Sequence, residues 1–272
     1  MESSSHNRIL RESTHFDKEY SINETFVGFG DYDYLSHPCI PENNYLLQRM
    51  NGKFDGLRVL DIGCGQGEAT AAFAKRGARV SGVDVSKKAL EVASTLAANL
   101  GVQSDFHMVD SYGLPFKEGE FDLVYGNGVL HHLDLRLGAF EIRRVLKKGG
   151  LGFFIEPTTG NPLIAVYRKL AKSKRSLDEH PLTKDDFHFL SSVFSHVEMI
   201  PFQVTTLLVF LKMFLVEWKN PNTHSYWREP VIHAAQYQGI YRWATRLDER
   251  FRRSFPKLFD LLCWNKVILL HK

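Results

Sequence analysis

Three glycines at alternate positions follow a short apolar run, and this arrangement can hold a nucleotide-like ligand. The run at residues 57–62 predicts a buried parallel strand. Gly63, Gly65 and Gly67 then let the backbone turn tightly with no Cβ between it and a ligand. A dinucleotide-binding loop has the form GxGxxG, and its last glycine would fall where Glu68 stands. Because the third glycine comes earlier than that, the pattern favours a ligand without a pyrophosphate for the helix N-terminus.

Carboxylates end the next two apolar segments. Asp84 ends the first, 17 residues after Gly67, and an acid at that strand tip can accept hydrogen bonds from both hydroxyls of a ribose. Asp110 ends the second, and residues 121–127 predict a fourth strand. Because strands alternate with helices, we expect a parallel sheet with right-handed crossovers and a ligand site at the carboxyl ends of the strands.

Together these segments resemble the motifs of the class I methyltransferases that use S-adenosylmethionine. Residues 129–133 are similar to the segment that closes over the cofactor in that family. Residues 144–150 are similar to the turn before its fifth strand, with Lys148 in place of the usual proline. The resemblance spans roughly residues 45 to 200. It implies an α/β, Rossmann-like fold with a seven-stranded, mostly parallel sheet, and we expect a helical cap inserted before the last strand.

The predicted organisation has four parts. Residues 1–44 form an N-terminal lid segment, and residues 45–201 form the S-adenosylmethionine-binding core. Residues 202–262 form a helical cap and acceptor region, and residues 263–272 form the last strand of the core sheet. In similar enzymes the first segment folds over the bound cofactor, although packing on the surface is the alternative. The lid candidates are Tyr20, Tyr32 and Tyr34.

The resemblance implies S-adenosylmethionine as the cofactor and S-adenosylhomocysteine as the product. It places Asp84 on the ribose and Asp110 at the adenine amino group, although the first would also suit a helix N-cap and the second a turn. We interpret Cys64 as a small loop residue and not as a nucleophile. The predicted cofactor-binding residues are Asp61, Gly63, Cys64, Gly65, Gly67, Asp84, Val85, Asp110, Ser111, Asn127 and Tyr34.

Methyl transfer from this cofactor is an in-line displacement, so the protein must mainly align donor and acceptor. A hydroxyl acceptor benefits from a base, and histidine is the side chain best matched to neutral pH. His131 and His132 follow the fourth strand, and Glu156 ends the fifth strand at the ligand edge. These three are the predicted catalytic residues, with His180 as a further candidate and no metal. O-methylation is the leading prediction, and C- or N-methylation is the alternative.

The predicted cap carries a local basic charge. Residues 203–272 contain eleven Lys and Arg against five Asp and Glu, a surplus of six. A basic, aromatic cap can pack on the sheet, line an acceptor pocket or lie on an anionic membrane surface, whereas the apolar run at residues 204–216 is too short for a span of about 20 residues. The pocket candidates are Phe210, Phe214, Trp218, Tyr226 and Trp227, and the predicted helical stripe comprises Ile240, Trp243, Leu247, Phe251 and Leu258.

Composition bounds the remaining alternatives. The three cysteines show no ligand spacing, and the polar N-terminus lacks the apolar core of a secretory signal, so we expect a cytoplasmic protein with an option of peripheral membrane contact. The expected partner is a small-molecule or lipid-like acceptor, and DNA is not expected. RNA is a weaker alternative, because residues 125–128 lack an Asn-Pro-Pro-Tyr-type motif. A non-catalytic module that binds S-adenosylmethionine is the alternative of another class, although the intact glycines and acids argue against it.

Overall fold

The computed structural model describes residues 2–22, 33–110, 112–158, 160–171, 176 and 179–272. Seven strands form one sheet in the order β3-β2-β1-β4-β5-β7-β6. The first five strands run parallel, whereas β7 is antiparallel to both of its neighbours. The predicted α/β class is therefore confirmed. The strands are β1 Arg58–Ile62, β2 Arg79–Asp84, β3 Asp105–Met108, β4 Phe121–Asn127, β5 Leu146–Pro157, β6 His196–Phe202 and β7 Asn265–His271.

Helices cover both faces of the sheet, and four of them lie between β6 and β7. Among the described helices, none combines the length and apolar character that spanning a bilayer requires. The helices are α1 Glu2–Ile22, α2 Pro41–Arg49, α3 Glu68–Ala74, α4 Lys87–Asn99, α5 Leu135–Val145, α6 Pro162–Leu170, α7 Lys184–Val193, α8 Leu208–Leu215, α9 Glu229–Ile232, α10 Ala234–Ser254 and α11 Pro256–Leu262. We call residues 203–264 the cap.

Strand alternation divides the core into two layers. Leu60 and Val124 pack on one side of the sheet with α5 and α7, whereas Val59 and Tyr125 pack on the other side with α3. These strands are apolar on both faces because helices cover both. The strand order reverses between β1 and β4, so their carboxyl ends border the crevice where open α/β sheets bind ligands.

The cap differs in detail from its predicted pattern. The buried side of α10 carries Tyr237, Tyr241, Ala244 and Asp248. The residues of the predicted stripe lie on α10 and α11, and one of them, Trp243, is about half exposed. Tyrosines bury large apolar rings while their hydroxyls reach polar partners, so they suit the buried side of α10. Helix α7 ends at Val193, and β6 begins at His196.

Candidate functional site

The glycine loop adopts the conformation that its sequence requires. Gly63, Gly65 and Gly67 have φ angles of 65°, 52° and 82°, a left-handed region in which side chains with a Cβ are strained. A Cβ at Gly63 would lie 2.8 Å from Cγ2 of Val129, and one at Gly67 would lie 2.8 Å from Cβ of Ala93. The first and third glycines therefore allow close packing of the loop against its neighbours, and all three allow its turn.

Asp84 links the end of β2 to the glycine loop. The Gly65 N–H donates to Oδ2 over 2.9 Å, and the Ser86 N–H donates to Oδ1 over 2.8 Å. Each carboxylate oxygen has a further acceptor site, so both can also accept from a ribose. Burial raises the pKa of Asp84, although these backbone donors oppose the shift. The helix N-cap itself is Ser86, whose hydroxyl accepts from the Ala89 N–H.

A cavity of about 380 Å³ extends from the glycine loop to the cap. Nine predicted cofactor residues line it, and they comprise Asp61, Gly63, Cys64, Gly65, Asp84, Val85, Asp110, Asn127 and Tyr34. Gly67 instead packs against Ala93 on α4. Ser111 and Tyr32 lie outside the described residues. The size is within the range of small-molecule sites.

Asp61 is buried at the end of β1, on the floor of this cavity. Thr70 donates its hydroxyl to Oδ2 over 2.6 Å. Burial raises the pKa of Asp61 to about 7, and the nearby Glu68 and Asp84 carboxylates add to the rise. A cationic ligand group beside Asp61 would favour the charged form of this carboxyl.

His131 and Glu156 form a hydrogen-bonded pair at the end of the sheet. Glu156 is 1% exposed. Its Oε1 accepts from the N–H groups of Val129 and Leu130 at 3.0 and 2.8 Å, and its Oε2 lies 2.7 Å from Nδ1 of His131. An ionised Glu156 can only accept, so Nδ1 donates to it, and in a neutral imidazole the lone pair then lies on Nε2. That tautomer would present Nε2 as the basic atom.

Glu156, which is predicted as an acceptor contact or base, is buried near the end of β5. His131 lines the cavity, whereas Glu156 is not among the described residues that do so. Backbone N–H groups of the 3-10 turn at residues 130–132 fold over the carboxylate and cover it. This arrangement favours a role for Glu156 in positioning His131.

His132 lines the same cavity but faces α1. Its Nδ1 lies 3.1 Å from Oε2 of Glu12, and its ring packs edge-on against Phe16. One ligand atom each from His131, His132 and Glu179 lie within 4.8 Å of one another. His180 donates its backbone N–H to the carbonyl of His131.

Helix α1 lies over the cofactor end of the cavity. Asp17 accepts at Oδ1 from the Ser86 hydroxyl over 2.6 Å and from the Lys88 N–H over 3.2 Å, so α1 is docked on the N-terminus of α4. The Tyr20 hydroxyl lies 2.9 Å from where a Cβ of Gly65 would stand. Burial raises the pKa of this hydroxyl well above its usual range. Tyr34 accepts a hydrogen bond from Asn127, and both tyrosines line the cavity.

The sequence did not reveal a role for Arg228, which joins the cap to the glycine loop. Its guanidinium donates to the side chain of Gln66 and, over 3.1 Å, to Oε1 of Glu68. The pair is largely buried, and burial raises the pKa of Glu68 while Arg228 opposes that rise. Of the predicted pocket aromatics, Trp227 lines the cavity. Phe210 and Tyr226 pack inside the cap, and the remaining candidates, Phe214 and Trp218, are exposed.

A comparison with known proteins agrees with this geometry. Residues 60–154 match a family described as a methyltransferase domain. The matched segment begins within β1 and ends within β5. Residues 60–154 therefore form a methyltransferase domain, and the seven-stranded sheet has the fold of the class I S-adenosylmethionine-dependent methyltransferases. The methyltransferase domain contains the glycine loop, Asp84 and His131.

Curated relatives resemble part of the chain. A ubiquinone biosynthesis O-methyltransferase of Rhizobium johnstonii is 39% identical over 100 residues, which are 36% of this chain and 40% of that protein. The uncharacterised methyltransferase YcgJ of Bacillus subtilis is 39% identical over 95 residues, 34% of this chain and 38% of that protein. The match thus spans about two fifths of the length of these relatives.

Solved structures share the fold over a larger part of the chain. Phosphoethanolamine N-methyltransferase 2 of Haemonchus contortus aligns with 85% of this chain and 52% of its own, at 19% identity and a TM-score of 0.55. YcgJ aligns with 85% of this chain and 98% of its own, at 19% identity and a TM-score of 0.53. The [4+2]-cyclase SpnF has the same TM-score and identity over 85% of this chain and 81% of its own. At this identity the likeness concerns the fold alone.

Proposed function

We propose that this protein transfers the methyl group of S-adenosylmethionine to a hydroxyl of a small or lipid-like acceptor. The observation that carries the proposal is the His131 and Glu156 pair, whose basic Nε2 belongs to a residue of the same cavity as the glycine loop. The named relatives support oxygen as the acceptor atom, because several are ubiquinone biosynthesis O-methyltransferases.

The residues of the cavity fit the cofactor. Gly63 and Gly65 leave room where a Cβ would crowd the loop, and Asp84 has acceptor sites for ribose hydroxyls. When bound, S-adenosylmethionine supplies an electrophilic methyl group on a positively charged sulfur. Asp61 can bind the cationic amino group of such a ligand. The cation would stabilise the charged form of this carboxyl, which burial otherwise disfavours. We assign donor binding to these residues.

In this proposal His131 removes the proton of the acceptor hydroxyl. As the new C–O bond forms and the S–CH₃ bond breaks, Nε2 takes the hydroxyl proton, and His131 becomes an imidazolium. Glu156 holds Nδ1–H throughout and stabilises that positive charge. Helix α1 is docked on α4, and Arg228 joins the cap to the glycine loop; in this proposal both limit the access of water to the nucleophile. The expected location remains the cytoplasm, with the acceptor as the main partner.

The test is a screen of hydroxyl acceptors with radiolabelled S-adenosylmethionine, combined with calorimetry of cofactor binding. We expect cofactor binding by the wild type, and labelled product that disappears in His131→Asn without a change in cofactor affinity. His196→Asn, on an exposed part of β6, is the matched control and should keep full turnover. A failure to bind the cofactor would exclude the methyltransferase activity itself.

The same screen separates the alternatives. Label on a nitrogen or carbon of the acceptor would refute O-methylation while keeping methyl transfer. Cofactor binding without turnover on any acceptor class would favour a binding module. It would also favour a different reaction on the same fold, as the name of the cyclase SpnF illustrates.

A further inference from the structure

Two buried polar side chains line the part of the cavity next to the cap. Both are distant in sequence from the glycine loop. Glu42 lies on α2 and is 0% exposed, and Gln203 follows β6 and is 4% exposed. Oε1 of Glu42 accepts from Nε2 of Gln203 over 2.7 Å and from Nδ2 of Asn265 over 3.1 Å. Three separate parts of the fold therefore converge on one carboxylate oxygen.

The other oxygen of each side chain is left over. Among the described residues, none donates a hydrogen bond to Oε2 of Glu42 or to Oε1 of Gln203, and both atoms are buried. Exchanging the positions of the Gln203 amide oxygen and nitrogen would not provide the missing donor, because the nitrogen must face the carboxylate to which it donates. A buried acceptor without a donor destabilises a fold, and a carboxylate does so most. Such a pair indicates a ligand that brings its own donors.

The backbone conformation and the local charge also indicate a ligand at this position. Gln203 has a φ of 60°, a strained value for a residue with a side chain, and its carbonyl accepts from the Trp264 N–H over 2.8 Å. Burial raises the pKa of Glu42, and the nearby carboxyl of Asp248 raises it further. A cation beside Glu42 would stabilise the charged form of this carboxyl, which burial otherwise disfavours.

We propose that Glu42 and Gln203 form a subsite for a primary ammonium group. The ammonium has three N–H donors, enough to reach Oε2 of Glu42 and Oε1 of Gln203 together. Tyr241 and Trp264 line the same region and provide aromatic surface beside the charge. The identity of the molecule that carries the ammonium rests on the proposed function. In that function the ammonium belongs to the acceptor. The enzyme therefore selects acceptors that carry an amine as well as a hydroxyl.

The test compares two probes of equal length in the full chain at pH 7, n-hexylammonium and n-hexanol, by calorimetry. We expect the wild type to bind n-hexylammonium about tenfold more tightly than n-hexanol, because a charge-assisted hydrogen bond replaces a neutral one. In Glu42→Gln the preference should fall below about twofold. Glu198→Gln, the same change on β6 beside Arg49 and His271, should keep the full preference.

A second variant covers a failure of Glu42→Gln to fold. Gln203→Asn tolerates the positive φ better than most substitutions and withdraws the amide oxygen, so it should lose the ammonium preference. Equal binding of both probes by the wild type would overturn the proposal, because solvent would then satisfy both oxygens. Preference retained in both variants would also overturn it. No probe requires methyl transfer, so these outcomes are separate from a failure of the proposed activity.

Discussion

Replacement of Asp84 by Asn tests the cofactor site most directly. The carboxylate already accepts from the N–H groups of Gly65 and Ser86, and in our proposal it also accepts from the ribose hydroxyls. A hydrogen bond to a charged group contributes about 1.5 to 3 kcal/mol. The dissociation constant of S-adenosylhomocysteine should therefore rise roughly 10- to 150-fold in Asp84→Asn.

Part of that loss would come from the loop rather than from the ribose. The amide of the variant can accept from only one of the two backbone N–H groups, and its own N–H₂ opposes the other. Calorimetry with S-adenosylhomocysteine and with its 2′,3′-dideoxy analogue separates the two effects. We expect a large loss of affinity for the first ligand and a small loss for the second.

Asp122→Asn is the matched control. Asp122 near the start of β4 accepts from the Arg58 N–H over 2.9 Å and from Nζ of Lys147 over 2.7 Å, and neither contact involves the cavity. Its substitution should leave cofactor affinity within about twofold. An equal loss for both ligands in Asp84→Asn would refute ribose recognition and leave Asp84 with a role in loop shape alone. An unchanged affinity would remove it from the site.

Three further predictions concern other parts of the site. Glu156→Gln should lower kcat by roughly 10- to 150-fold without changing cofactor affinity, because the amide no longer stabilises the imidazolium of His131; nitrogen-15 NMR should show loss of the Nδ1–H tautomer, and retention of both would contradict the pairing. Arg228→Ala should lower the free energy of unfolding by about 1 to 3 kcal/mol in denaturant titrations, since Glu68 loses its cation, and Arg228→Lys should recover part of it. Asp61→Asn should gain stability relative to the wild type as pH rises from 5 to 8. Because the pKa of Asp61 is raised to about 7, this carboxyl resists ionisation in the folded wild type at a pH where it has already ionised in the unfolded chain. A stability difference between variant and wild type that does not change with pH would contradict that pKa.

The donor side of the cavity was accessible from the sequence because its parts are contiguous. Gly63, Gly65 and Asp84 follow strands whose apolar character is unambiguous, and the carboxyl ends of neighbouring parallel strands must meet. The fold class could be predicted for the same reason. His131 follows the fourth strand along the chain, so its arrival at this edge could also be foreseen.

The cap side was less accessible because its contacts join distant segments. Arg228 meets Gln66 across 162 positions, and Gln203 meets Glu42 across 161, and no local pattern predicts such pairs. Glu156 was placed correctly at the end of β5, but its partners are backbone N–H groups of a turn that has no sequence signature. The role of a charged side chain depended on what folded over it.

The cap enters and leaves the sheet at neighbouring points, since the Trp264 N–H donates to the Gln203 carbonyl where β6 and β7 pair. A segment with adjacent ends can be exchanged for another without disturbing strand order, so new acceptor preferences can be grafted onto one donor-binding core. Arg228 sets the condition for such a graft. A transplanted cap must bring a cation to Glu68, or this buried carboxyl will lose the partner that stabilises its charged form.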